Sequence, residues 1–153
     1  MTTSNKALRI ALWVLQVLLA MFFVMVGYSH ALMPFDQVSR EATWMLAVPR
    51  PLSLFIGFAE IAGGLGMVLP SVSRVAPWLT PLAALGLATI MILAILFHLV
   101  RGEGSVVWIH TLLAAFALFV AWGRSRGFYV TNEKRRDPLG RGAKPTPTSS
   151  SST

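Results

Sequence analysis

Glu60 sits in the middle of a long apolar run, inside the stretch "GFAEIAGGLG" (Gly57–Gly66), with glycines on both sides. A charged group at the centre of a membrane-spanning helix costs about 2.5–3.5 kcal/mol on insertion scales, so such residues usually face the protein interior or a polar cavity. Gly57, three residues before Glu60, and Gly64, four after, share its helical face, and Gly63 lies beside it. Small residues let a second backbone approach closely. The acid is therefore expected to point into a bundle and away from lipid. Two chemistries then fit it: a hydrogen bond across a helix interface that fixes packing, or a polar cavity that moves protons or holds a ligand.

The three histidines, His30, His98 and His110, fall near one end of their apolar runs. Imidazole titrates near neutral pH and suits proton handling. Residues converging from four helices would form a proton-handling or quinone-type pocket. Tyr28 shares the end of the first run, while Gln16, Gly27 and His30 lie within one helical stripe of it. A ligand-binding set of Glu60, His30, His110, Tyr28, His98 and Gln16 follows, with Gly57, Gly63, Gly64 and Gly27 as packing positions. Gln16 equally fits a hydrogen bond that holds helices together. Thr80 and Thr89 are expected to bond back within their own helix. No two histidines have i,i+4 spacing on one helix, and no metal site is expected. The chain has no cysteine, so it holds no thiolate-ligated iron–sulfur cluster and does no thiol–disulfide chemistry. Electrons for any redox step would come from a partner subunit.

The elements that must position these groups are long and apolar. Of 153 residues, 55% are hydrophobic and 12% charged, about half the ~25% charge of soluble domains. Apolar runs at about 8–33, 51–69, 78–100 and 106–123 approach the ~20 residues a helix needs to cross a bilayer. The fold class is all-α: an integral membrane four-helix bundle spanning residues 1–126, followed by a basic, Pro/Ser/Thr-rich tail at 127–153 that is expected to be disordered. The first run is longer than the ~7–15 residues of a signal-peptide core, so cleavage is not expected. A short interfacial helix suits the Met33–Arg50 loop around Trp44.

The net charge of +7 reflects topology and not nucleic-acid binding. Lys6, Arg9, Arg74, Arg124, Arg126, Lys134, Arg135, Arg136, Arg141 and Lys144 lie on one side, against Arg40, Arg50 and Arg101 on the other. That asymmetry predicts a multi-pass protein of the cytoplasmic membrane with both termini in the cytoplasm, its basic tail meeting anionic lipid.

The ordered set "VGYSHAL" (Val26–Leu32), "PLSLFIGFAEIAGGLGMVLP" (Pro51–Pro70), "LTPLAALGLATIMILAILFHLVRGE" (Leu79–Glu103) and "FVAWGR" (Phe119–Arg124) resembles the DoxX-like membrane proteins over roughly Leu8 to Arg124. The resemblance implies four transmembrane helices and, in some members, a link to quinone-coupled oxidation of sulfur compounds or to redox-stress complexes. The family's glycine-then-glutamate pattern maps to Gly57 and Glu60. Many members carry a lysine where His30 follows Gly27, and often an asparagine where His110 stands. Three functions follow: a redox-associated subunit binding a quinone-like or other lipophilic molecule, a non-enzymatic assembly or scaffold subunit of a larger complex, and, least favoured, a small transporter.

Overall fold

The computed structural model describes residues 3–73 and 75–136. Arg74 and the tail from 137 onward, both part of the charge asymmetry above, lie outside the described residues. The elements are α1 (Thr3–Leu32), α2 (Phe35–Glu41), a 3-10 turn (Thr43–Leu46), α3 (Arg50–Ser73), α4 (Leu79–Val100) and α5 (Gly104–Arg136). No strand occurs among the described residues. Four helices are long and apolar enough to cross a membrane, over Lys6–Leu32, Arg50–Ser73, Leu79–Val100 and Gly104–Arg126. The shortest span, 22 residues, is about 33 Å long at ~1.5 Å per residue, enough for the ~30 Å hydrocarbon core. The loop after α1 forms the short helix expected of it, with a 3-10 turn behind. Helix α5 continues past the expected end at 123 as far as Arg136.

Buried positions in α3 run Ser53, Gly57, Glu60, Gly64, Met67 and Pro70. Alternating steps of four and three keep one face of a helix against its neighbours. The seams of α1 (Leu12, Gln16, Leu19, Phe23, Ala31) and α4 (Thr80, Ala84, Leu87, Met91, His98) follow the same rule. Helices α1, α3, α4 and α5 close a ring, packed most extensively at α1/α3 and α4/α5 and least at α5/α1. Phe23, Met67, Ala84, Leu87 and Val120 form the central apolar core. Outward faces carry Leu18, Met21, Phe55, Leu93 and Trp108, as expected where the solvent is lipid.

Glycines set the α1/α3 register. A Cβ at Gly27 would lie 2.5 Å from the Gly57 carbonyl, and one at Gly64 would lie 2.9 Å from the Ala20 carbonyl. Gly63 faces α4 instead, against the Leu87 side chain. Because Gly57 lies against Ala31, α1 ends level with the first third of α3. The first turns of α3 therefore rise beyond α1, and the Trp44–Val48 segment covers the space that a longer α1 would fill.

Replacing Gly57 with Ala puts a methyl 2.8 Å from the Ala31 nitrogen and 2.9 Å from the Gly27 oxygen. We expect Gly57→Ala to lower unfolding stability in detergent by roughly 1–3 kcal/mol, the usual cost of overpacking. A Cβ at Gly86 meets nothing within 4 Å, so Gly86→Ala should be neutral or stabilising by roughly 0.5–1 kcal/mol from helix propensity. Equal effects at the two positions would refute the close α1/α3 contact.

Candidate functional site

Glu60 enters the bundle because it occupies the buried seam of α3 between two glycines that draw α1 close. Only 3% of the residue is exposed, so its carboxyl needs a partner. That partner is His30, whose Nδ1 lies 2.9 Å from Glu60 Oε2. The bond joins the last turn of α1 to the middle of α3. Trp44, from the 3-10 turn, sets its ring edge-on to the His30 imidazole at 5.1 Å between centroids. The loop thereby holds the ring that holds the carboxyl.

His30 and Glu60 form one wall of a cavity of about 290 Å³. Leu52, Phe55 and Ile56 of α3 and Leu93, Ala94 and Phe97 of α4 supply its apolar sides, while His98 and His110 supply a second polar patch. Phe55 and Leu93 are also largely exposed, so the cavity reaches the lipid-facing surface between α3 and α4. The His98 and His110 rings lie 4.9 Å apart. His110 Nδ1 is 2.8 Å from the Val106 carbonyl, which can only accept, so this nitrogen carries the proton. His98 Nδ1 is 2.6 Å from Glu103 Oε2. All three imidazoles thus engage Nδ1, and none of their Nε2 atoms is both buried and unpartnered among the described residues. Each Nε2 remains accessible for a further hydrogen bond.

Two residues of the expected set do not line this cavity. Tyr28 is 53% exposed, on the outward face of α1, because it precedes His30 by two residues and so points nearly the opposite way. Gln16 is fully buried, but at the other end of the bundle. Its Nε2 donates to the Met67 carbonyl at 2.6 Å and to Ser71 Oγ at 3.2 Å, and its Oε1 accepts from Arg124 Nε at 2.6 Å. Ser71 Oγ lies 2.8 Å from Thr80 Oγ1, so one amide network reaches all four long helices. Thr80 therefore bonds across helices and not back within its own, whereas Thr89 does bond back, to Leu85. Arg124 also lies over the Trp13 ring, 4.5 Å from its centroid. This network secures α5 to α1, the thinnest seam of the ring. Arg124, counted in the sequence as a topology charge, lies two residues before the end of the Gly104–Arg126 span and follows the α5 face that carries Val120 and Ala121.

A model of the DoxX-like family matches residues 14–123. The chain belongs to the DoxX-like family. The matched segment of this DoxX-like protein contains the whole cavity wall, the Glu60–His30 pair and Gln16 with its α3 partners, and it ends one residue before Arg124. No curated protein and no solved structure matches it. Among the described residues of the DoxX-like chain, no group of three or more His, Asp or Glu side chains is placed to hold a metal ion.

Sequence reading gave Glu103 no role and counted Arg101 only in the charge asymmetry, because the two look like an ordinary polar turn. Glu103 accepts from His98 and, through Oε1, from Arg101 Nε at 2.8 Å. The His98 hydrogen bond first and the Arg101 hydrogen bond second hold its carboxyl below the ordinary carboxylate range, against partial desolvation. A carboxyl whose pKa is lower folded than unfolded adds stability that is complete above its unfolded pKa and disappears as pH falls through the folded one. Glu103→Gln should therefore melt below the native protein at pH 7, and the two melting temperatures should converge in acid. A gap that widens on acidification would reverse the assigned direction.

Proposed function

We propose that this DoxX-like protein is a redox-associated membrane subunit that binds a small lipophilic molecule, quinone-like in size and polarity. The observation that carries this reading is the Glu60–His30 pair in the wall of a cavity whose other walls are apolar and whose second polar patch is His98 and His110. Ligand sites typically hold roughly 300–1,000 Å³, so about 290 Å³ suits one ring with its tail extending into lipid. Ring oxygens would meet the free Nε2 atoms, and Glu60 would accept or return a proton through His30. A partner subunit would supply the electron carrier.

A non-enzymatic assembly subunit is the alternative. The Gln16–Arg124 network favours it, since it shows buried polar groups of this bundle serving helix packing. Glu60 variants separate the two. Glu60→Gln and Glu60→Leu proteins are titrated with decylubiquinone in nanodiscs and melted in parallel. We expect Glu60→Leu to stay as stable as the native protein or to gain stability, since it removes an ionisable group that is costly at the centre of a membrane helix, while binding weakens at least about tenfold, or ~1.4 kcal/mol. Loss of stability without any detectable quinone binding by the native protein would favour the assembly role.

The same proposal places the protein in the cytoplasmic membrane with both termini in the cytoplasm and its basic tail against anionic lipid, supported by the Lys/Arg asymmetry. The absence of cysteine makes labelling unambiguous. A membrane-impermeant maleimide added to intact cells should label Ser105→Cys and leave Ser149→Cys unmodified. The opposite pattern would invert the topology.

A further inference from the structure

His98 of the cavity lining forms a hydrogen-bonded pair with Glu103 that the ligand-binding reading does not use and that reaches the surface of the protein. The pairing begins in the backbone. Helix α4 ends with Gly102 in the left-handed region, at φ 72°, where glycine carries no side-chain penalty. The Glu103 N–H donates to the His98 carbonyl at 2.9 Å and the Gly102 N–H to the Leu99 carbonyl at 3.0 Å. This paired closure of a helix end turns the chain back so that Glu103, five residues beyond His98, lies beside it. Its carboxylate accepts the His98 Nδ1 proton at 2.6 Å and an Arg101 proton at 2.8 Å. The Glu103 side chain is 30% exposed and that of His98 only 9%. One nitrogen of His98 therefore faces a surface carboxylate, and its ring lines the cavity.

We infer that Glu103 and His98 form a proton conduit between the membrane surface and the cavity. An outgoing proton is taken up at His98 Nε2, and the proton on Nδ1 passes to Glu103 Oε2. Glu103 then releases it to water, and inward transfer follows the reverse order. One proton enters and one leaves at each group, a flip of the His98 ring restores its starting tautomer, and no other reactant is consumed. Arg101 keeps the carboxylate oriented toward the ring. The other titratable groups facing the route are His110 of α5, 4.9 Å from His98, and, across the cavity, His30 of α1 and Glu60 of α3. The Glu60–His30 pair, in the lining of the same cavity, is the terminus of the conduit, and water in the cavity carries the proton between this pair and His98. The inference builds on the cavity being the functional site, but its test needs no ligand, so failure to bind a quinone and failure to conduct protons are read separately.

Trp44 is a built-in reporter, because its ring contacts His30 edge-on and an imidazolium quenches indole emission. The full chain in nanodiscs is subjected to stopped-flow pH steps, and the signal from Trp44 is taken as the difference from Trp44→Phe protein. Glu103→Gln retains an acceptor for His98 but carries no proton. We expect it to slow the Trp44 response at least about tenfold, within the ~10²–10⁴-fold range of positioned acid–base groups, with an unchanged final amplitude. Glu103→Asp should restore most of the rate. A folded Glu103→Gln protein that responds at the native rate overturns the conduit, and so does a native protein whose Trp44 emission ignores pH. If Glu103→Gln loses its helical structure, His98→Gln, which can still bond to Glu103, is held to the same tenfold criterion.

Discussion

The structure depends on the close approach of α1 and α3 at Gly27 and Gly57. Without side chains there, the two backbones meet, and the contact fixes which turn of α1 lies beside which turn of α3. The same register brings His30 to Glu60. A buried carboxylate is expensive in hydrocarbon, and a single hydrogen-bonding partner in the right place offsets much of that cost. The glycines therefore do more than permit packing, since they determine the partner of the one acid in the middle of the bundle.

The cavity is a consequence of that register. Helix α1 stops level with Gly57, so the upper turns of α3 rise past its end, and the loop carrying Trp44 and Val48 joins α3, α4 and α5 around the gap. The two ends of the bundle are built differently as a result. Toward the termini, Phe23, Met67, Leu87 and Val120 fill the interior, and the Gln16 amide ties the helices through bonds to Met67, Ser71 and Arg124. Toward the loops, polar atoms face open space, and three imidazoles each keep one nitrogen available. A bundle made only for packing has no need of the second arrangement.

Much of this architecture was legible beforehand. Four apolar runs of spanning length, with breaks at Pro34, Pro49, Pro77 and the Gly102–Gly104 turn, dictate an all-helical membrane bundle whatever the detailed contacts. Glycines at 57 and 64 identify the face of α3 that must be covered, and Glu60 shares it. Helical periodicity is a property of local backbone geometry, so one sequence suffices to place residues on faces. The inward direction of Glu60 follows from that alone, and so does the membership of the DoxX-like family in the ordered helix motifs.

Relative height along the membrane normal is not local, and only the tertiary structure decided it. Counting residues along the helix faces grouped Gln16 with the loop-end histidines, because such counting assumes that all helices start and stop at common planes. Helix α1 instead begins far below α4 and ends short of α3, so Gln16 meets Met67 and Arg124 while His30 meets Glu60. The return of Glu103 to His98 likewise depends on a left-handed glycine and on the tilt of two helices. Sequence by itself determined which faces are buried and what chemistry they carry; packing decided which of those groups touch, because side-chain contact depends on the sliding of one helix against another.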